Sequence, residues 1–137
     1  MTNQLSQIRW WRVTWTALTV YAASFILVFL IVTAYATYLG FQARGAPDPT
    51  MIQEFANQYA PWIGPISLIL FTLLGARWLA SFVRTDLQLH GLVLGVLVAL
   101  VNLIFESMGA FSLSSLLITV LIVGAGWLGS RLSAQRS

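Results

Sequence analysis

Four long apolar stretches separated by short polar connections dominate the pattern of this chain. They cover about residues 13–39, 62–82, 87–105 and 111–128. An α-helix needs about 20 residues to cross about 30 Å of hydrocarbon, so each stretch is long enough to span a membrane. The pattern predicts an all-α, polytopic membrane protein, with four transmembrane helices arranged as two hairpins in a single domain over residues 1–137.

The connection between the first two stretches has the features of a short helix. Asp48 followed by Pro49 is typical of a helix start, because aspartate accepts from free backbone N–H groups and proline suits the first helical position. Apolar residues then recur at helical spacing, and Pro61 is expected to end the pattern. The sequence predicts an interfacial helix over about residues 49–60 in this outer loop, which either covers the end of the bundle or contacts a partner.

Composition agrees with a protein that lies in the lipid bilayer. Of 137 residues, 58% are hydrophobic and 8% are charged, and the mean hydropathy is +0.83. Such a chain cannot present a water-compatible surface. The absence of cysteine excludes disulfides, thiolate metal sites and iron–sulfur clusters. The net charge of +3 comes from arginines at the ends of apolar stretches, so no nucleic-acid partner is indicated.

The arginines predict how the chain is oriented. Six of the seven lie at one set of span ends, and only Arg44 lies on the other side. Basic residues are enriched in cytoplasmic connections, so both termini are predicted to be cytoplasmic, in a multi-pass protein of the bacterial inner (plasma) membrane. The six arginines on the predicted inner side are Arg9, Arg12, Arg77, Arg84, Arg131 and Arg136.

Small residues follow one helical face of the third stretch and of the fourth. Membrane helices use such faces for close packing, because lipid gives apolar side chains no drive to associate. We predict that these two helices pack against each other within the chain, with dimerisation through the same face as the alternative. The predicted helix-packing residues are Gly91, Gly95, Ala99, Ser115, Thr119 and Gly126.

Asn102 and Glu106 continue the small-residue face of the third stretch and form a candidate polar site. A carboxylate one helical turn from an amide could bind a cation or carry a proton, and ionisable groups in membrane helices are functional candidates. The structural alternative is that Glu106 lies at the outer boundary and caps the fourth helix. His90 has no second metal ligand at a suitable spacing and is interpreted as a membrane-interface histidine. The sequence therefore predicts no metal site and no cofactor.

The second and fourth stretches match each other at a constant offset. A duplicated two-helix unit would explain this match and would resemble the parallel repeats of some transport folds. Apolar helices of similar composition also match by chance, and both explanations stay open. The matching residues are Leu68, Ile69, Gly75, Ala76, Trp78, Leu79 and Ser81 in one stretch and Leu117, Ile118, Gly124, Ala125, Trp127, Leu128 and Ser130 in the other.

Two groups of membrane proteins resemble this chain. In size and span number it is similar to the small multidrug-resistance transporters, which work as dimers around a glutamate in the first span, but residues 13–39 contain no acidic residue. In its two-hairpin layout and in the sequence from His90 to Val101, it resembles small four-helix membrane proteins of bacteria. That group implies the fold and lends no function.

The motifs of common enzyme classes are absent from the sequence. There is no glycine-rich phosphate loop, no Ser/His/Asp set and no His-Glu-x-x-His pattern. We therefore expect a non-catalytic helix bundle with a membrane-protein partner or self-association, such as an accessory subunit of a respiratory or photosynthetic assembly. The alternative function is a small transporter or channel-like protein that uses Asn102 and Glu106.

Overall fold

The computed structural model describes residues 8–83, 86–107 and 112–134, without the side chains of residues 106, 107 and 134. All regular structure in these residues is helical, and each helix is long and apolar enough to cross a membrane. The expectation of an all-α membrane helix-bundle protein is thereby confirmed. The helices are α1 (Trp10–Ala43), α2 (Pro49–Phe82), α3 (Leu87–Ser107) and α4 (Leu113–Ala134).

The four helices fall into two length classes. Helices α1 and α2 have 34 residues each, whereas α3 has 21 and α4 has 22. At 1.5 Å per residue, α1 and α2 are about 51 Å long, which exceeds a hydrocarbon core of about 30 Å, and α3 and α4 match it. The first two helices therefore reach farther than the last two.

Helix α2 starts where the sequence predicts and continues past its predicted end. The Asp48 carboxylate accepts a hydrogen bond of 2.9 Å from the backbone N–H of Thr50, with Pro49 at the first helical position. The helix then runs unbroken through Pro61 and Pro65 to Phe82. The predicted boundary between a helix over residues 49–60 and a span over 62–82 is corrected accordingly. Membrane helices tolerate proline when other groups satisfy the freed backbone, so proline is a weak stop signal here.

The two ends of α1 show where the chain turns and which helix ends lie together. At its carboxyl end, Arg44 adopts a left-handed conformation with φ of 50°, and its N–H donates to the carbonyls of Gly40 and Phe41. This turn reverses the chain into α2. At the opposite end, which we call the arginine end, α1 and α3 begin and α2 finishes.

The helices pack around a buried core that favours the arginine end. In the described residues, α4 packs against α2 and α3, α1 packs against α2 and α3, and α1 does not contact α4. Within α1, most of the core residues come from the first half of the helix. The largest fully buried apolar side chains are Val13, Leu79, Leu94, Val98 and Ile122.

Candidate functional site

Helices α3 and α4 approach each other at backbone distance along what we call the α3–α4 seam, formed by Gly91, Gly95 and Gly126. A β-carbon at Gly95 would lie 3.0 Å from Cα of Val123, and one at Gly126 would lie 2.9 Å from Cα of Gly95. A β-carbon at Gly91 would meet Ser130 and the Gly126 carbonyl. Larger residues therefore cannot be placed here unless the helices move apart.

The other predicted packing residues, Ala99, Ser115 and Thr119, lie outside the α3–α4 seam as defined by its three glycines. Ala99 is buried beyond Gly95 on α3, and Ser115 is buried near the start of α4. The Thr119 hydroxyl donates to the Ser115 carbonyl at 2.8 Å within its own helix. Thr119 therefore satisfies its polar group without a neighbouring helix.

Helix α2 joins the bundle through two further close contacts. A β-carbon at Gly129 would lie 2.9 Å from Cβ of Ala76, and one at Gly75 would lie 2.7 Å from Cγ2 of Val20. The counterpart of Gly75 in the sequence match is Gly124, which has open space in the same position. The matching glycines of α2 and α4 thus have different surroundings.

A polar cluster that the sequence did not reveal lies at the arginine end. His90 is only 1% exposed, its Nε2 accepts from the backbone N–H of Arg9 at 3.3 Å, and its Nδ1 lies 3.0 Å from the Asp86 carbonyl oxygen. Because Nε2 faces a donor and Nδ1 faces an acceptor, these contacts fit the tautomer with its proton on Nδ1. His90 therefore joins the start of α1 to the start of α3.

Arg12 adds a second connection at the same end. Its guanidinium donates to the carbonyl oxygen of Phe82 at 2.8 Å and lies 5.7 Å from the centre of the Phe82 ring. A cation is favourable at the carboxyl end of a helix, where carbonyl groups lack intrahelical partners. We call these contacts of Arg9, Arg12, Phe82, Asp86 and His90 the arginine-end junction.

The candidate polar site of the third span contains a buried atom without a hydrogen bond. Among the described residues, Nδ2 of Asn102 and Oγ of Ser24 are buried and have no hydrogen-bond partner. The side chain of Glu106 lies outside the described part, so its predicted pairing with Asn102 stays a prediction. Ser24 was missed because one serine in a long apolar run carries no distinctive sequence signal.

Metal ligands and pockets give little further indication of chemistry. The described residues contain no group of three His, Cys, Asp or Glu side chains that could hold a metal ion. An open, mostly apolar groove lies at the far end of α1, opposite the arginine end. Its lining residues are Thr33, Ala36, Thr37, Gly40, Phe41 and Pro47.

Comparisons with protein-family models, with curated proteins and with solved structures found no match to this chain. Its function is therefore inferred from the helices, their contacts and their unpaired polar groups.

Proposed function

We propose that this protein is a non-catalytic accessory or packing subunit of a larger membrane assembly, for example a respiratory or photosynthetic one. The observation that carries the proposal is the lack of any buried residue from 25 to 38 of α1. The first half of the same helix buries Val13, Thr16, Ala17, Val20 and Ser24. We call residues 25–38 the outer half of α1.

The side chains on the outer half of α1 suit a protein partner. Phe25 is 80% exposed and Phe29 is 67% exposed, one turn apart on the helix. Aromatic side chains supply large, rigid contact areas and are enriched at protein interfaces. The α3–α4 seam is already filled by the chain itself, so a partner needs another surface. A second copy of this chain on the same surface is the alternative.

Photocrosslinking in native membranes tests this proposal. A photoreactive residue at Phe29 should form a discrete adduct with another membrane protein. The matched control is Val120 of α4, which is 68% exposed and should give diffuse lipid adducts only. A discrete adduct from neither position contradicts the proposal, and an adduct of twice the chain mass supports self-association instead.

A small transporter that uses Asn102 and Glu106 is the second candidate function. Its support is the unpaired amide of Asn102 within a span, since polar groups in membrane helices often mark transport paths. Under this function, Glu106→Gln should abolish a pH-dependent flux in liposomes and leave the fold intact. If Glu106 is only a helix cap, the same change should alter stability by no more than about 1 kcal/mol. Absence of flux in the wild type excludes this candidate.

The proposal includes an orientation with both termini in the bacterial cytoplasm and two helical hairpins in the inner membrane. Its support is the excess of arginine at one set of helix ends. Reporter fusions at residue 137 and within 83–89 should report cytoplasm, and fusions near Ala46 and Gly109 should report the exterior. A cytoplasmic signal from Ala46 contradicts the orientation. Changing Arg9 and Arg12 together should produce mixed insertion, because flanking arginines set the orientation.

A further inference from the structure

His90 is the only histidine in the chain, and its imidazole is almost completely buried at the arginine-end junction. Nε2 accepts from the backbone N–H of Arg9, and Nδ1 faces the carbonyl oxygen of Asp86. The junction therefore uses the imidazole as an acceptor on one side and as a donor on the other. Only neutral histidine can fill both roles, because the protonated ring is a donor at both nitrogens.

Protonation of His90 brings two donors against each other. A proton on Nε2 points at the Arg9 N–H, whose nitrogen is 3.3 Å away, so the hydrogen bond between α1 and α3 is lost. The Asp86 carbonyl is affected less, since Nδ1 keeps its proton and the backbone N–H of His90 also donates to this carbonyl at 3.1 Å. Protonation therefore acts on the contact between His90 and the start of α1.

The charges around His90 also oppose an additional cation. The described charged groups at this end are Arg9 and Arg12 on α1, Arg77 on α2, Asp86 before α3 and Arg131 on α4. All but one of them are positive. Helices α1 and α3 both begin here, and the amino end of a helix carries a partial positive charge. A neutral imidazole suits these surroundings, whereas a protonated one is repelled by them.

We propose that His90 is a pH-sensitive latch, which holds the start of α1 on α3 when it is neutral and releases it when it is protonated. Of the residue types at this end, only histidine changes charge between pH 5 and 8. The latch is closed at the upper end of this range, and the released form gains population as the pH falls, because only this form leaves Nε2 free to bind a proton. The glycines of the α3–α4 seam do not titrate, so this seam stays closed. The latch does not depend on the proposed accessory role.

Distances between spin labels in liposomes test the latch, and the natural chain contains no cysteine that would interfere. The reporting pair is Trp10→Cys with Gln88→Cys, two exposed positions near the starts of α1 and α3. The control pair is Gln88→Cys with Leu132→Cys, which joins α3 to an exposed position of α4 at the same end. Each pair is measured at pH 8 and pH 5, with His90 and with His90→Gln. The glutamine oxygen can accept from the Arg9 N–H, but glutamine does not titrate.

The reporting pair should show one distance at pH 8 and a second, longer distance at pH 5. The open-to-closed ratio should rise by at least about tenfold, since one coupled proton changes such a ratio by up to about tenfold per pH unit. The control pair should not respond, and His90→Gln should keep the short distance at both pH values. An unchanged ratio with His90 present overturns the proposal, and so does a pH response that persists in His90→Gln. If His90→Gln does not fold, His90→Leu replaces it, because leucine does not titrate either and its ratio should be the same at both pH values.

Nuclear magnetic resonance of the imidazole gives an independent readout, because isotopically labelled histidine contributes a single ring to the spectrum. At pH 8, Nδ1 should carry the proton and Nε2 should not. Proton uptake by Nε2 should have the same pH midpoint as the appearance of the longer distance. The opposite tautomer at pH 8, or a clearly different midpoint, overturns the proposal.

Discussion

The α3–α4 seam and the outer half of α1 are both apolar, yet only the first is closely packed within the chain. The seam consists of glycines whose missing side chains let two backbones meet. The outer half of α1 carries large side chains such as Phe25 and Phe29, and none of its residues is buried. Lipid is as apolar as these side chains, so apolar character alone does not join helices. Side-chain size separates the seam, which packs within the chain, from a surface whose side chains stay exposed.

Polar contacts strengthen the same contrast along α1. Its beginning is held by His90 and by the bond from Arg12 to the Phe82 carbonyl. Its outer half contacts α2 through the stacked rings of Tyr35 and Phe55, whose centres are 3.9 Å apart. One end of α1 is therefore anchored to two helices by hydrogen bonds, and the other contacts α2 by ring stacking.

Gly95→Leu should cause the largest loss of stability, because its side chain fills the α3–α4 seam. A β-carbon at this position already lies 3.0 Å from the backbone of Val123, so a leucine must force the helices apart. We expect destabilisation by about 3 kcal/mol or more, at the upper end of overpacking costs. Thermal unfolding of the purified protein in detergent measures it.

Val96→Leu is the matched control for this seam. Val96 is adjacent to Gly95, is 41% exposed and gains bulk without facing α4. Its unfolding temperature should equal that of the wild type within about 2 °C, as for surface changes within about 0.5 kcal/mol. Equal stability of Gly95→Leu and Val96→Leu would show that the seam does not hold the fold.

His90→Leu should have the next largest effect, because it removes the anchor of α1. The Arg9 N–H and the Asp86 carbonyl both lose a contact with the imidazole. The Asp86 carbonyl still accepts from the backbone N–H of residue 90, so the group left unpaired is the Arg9 N–H. Leaving a buried group unpaired costs about 1–3 kcal/mol, and we expect a loss near the lower value because Arg9 lies close to the bundle end. Denaturant unfolding measures the loss. Gln88→Leu, at an exposed position on the same helix, should change nothing, and similar losses in both variants would contradict the role of His90.

Tyr21→Phe should have a smaller effect, because it removes one hydroxyl between α1 and α3. The Tyr21 hydroxyl donates to a Val98 carbonyl that is already part of a helix. Interhelical hydrogen bonds in membranes contribute about 0.6 kcal/mol on average, and we expect a loss of that size. A loss as large as that of Gly95→Leu would mean that the α1–α3 contact, and not the α3–α4 seam, dominates stability.

Phe29→Ala should have the smallest effect on the isolated chain. The side chain is 67% exposed, so its removal changes few contacts within the bundle. We expect the stability in detergent to change by less than about 0.5 kcal/mol. The same variant should lose its partner during purification from native membranes. Retention of a partner at the wild-type level would remove the outer half of α1 as the docking surface.

The apolar pattern was sufficient to predict four membrane-length helices, and Asp48 with Pro49 correctly predicted where α2 begins. The prediction that Pro61 ends a helix carried over a rule from water-soluble proteins. In a membrane, ending a helix exposes several backbone groups at once, which is less favourable than losing one bond at a proline. The helix therefore continues through both prolines.

The arginine-end junction could not be predicted from sequence patterns. Arg9 and His90 are 81 positions apart, and their contact depends on how the first and third helices are placed. The bond from the Tyr21 hydroxyl to the Val98 carbonyl likewise joins residues 77 positions apart. The spacing of residues in the sequence shows which of them share a face of one helix. Contacts between two helices also depend on how those helices are rotated relative to each other.

The proposed accessory role is tested most directly by the mass of the protein as extracted from native membranes in mild detergent. We predict a stable complex in which the 15.1 kDa chain accompanies at least one different subunit, with the partner lost in Phe29→Ala and kept in Val120→Ala. Isolation of the wild-type chain alone, at 15.1 kDa, would contradict the accessory role.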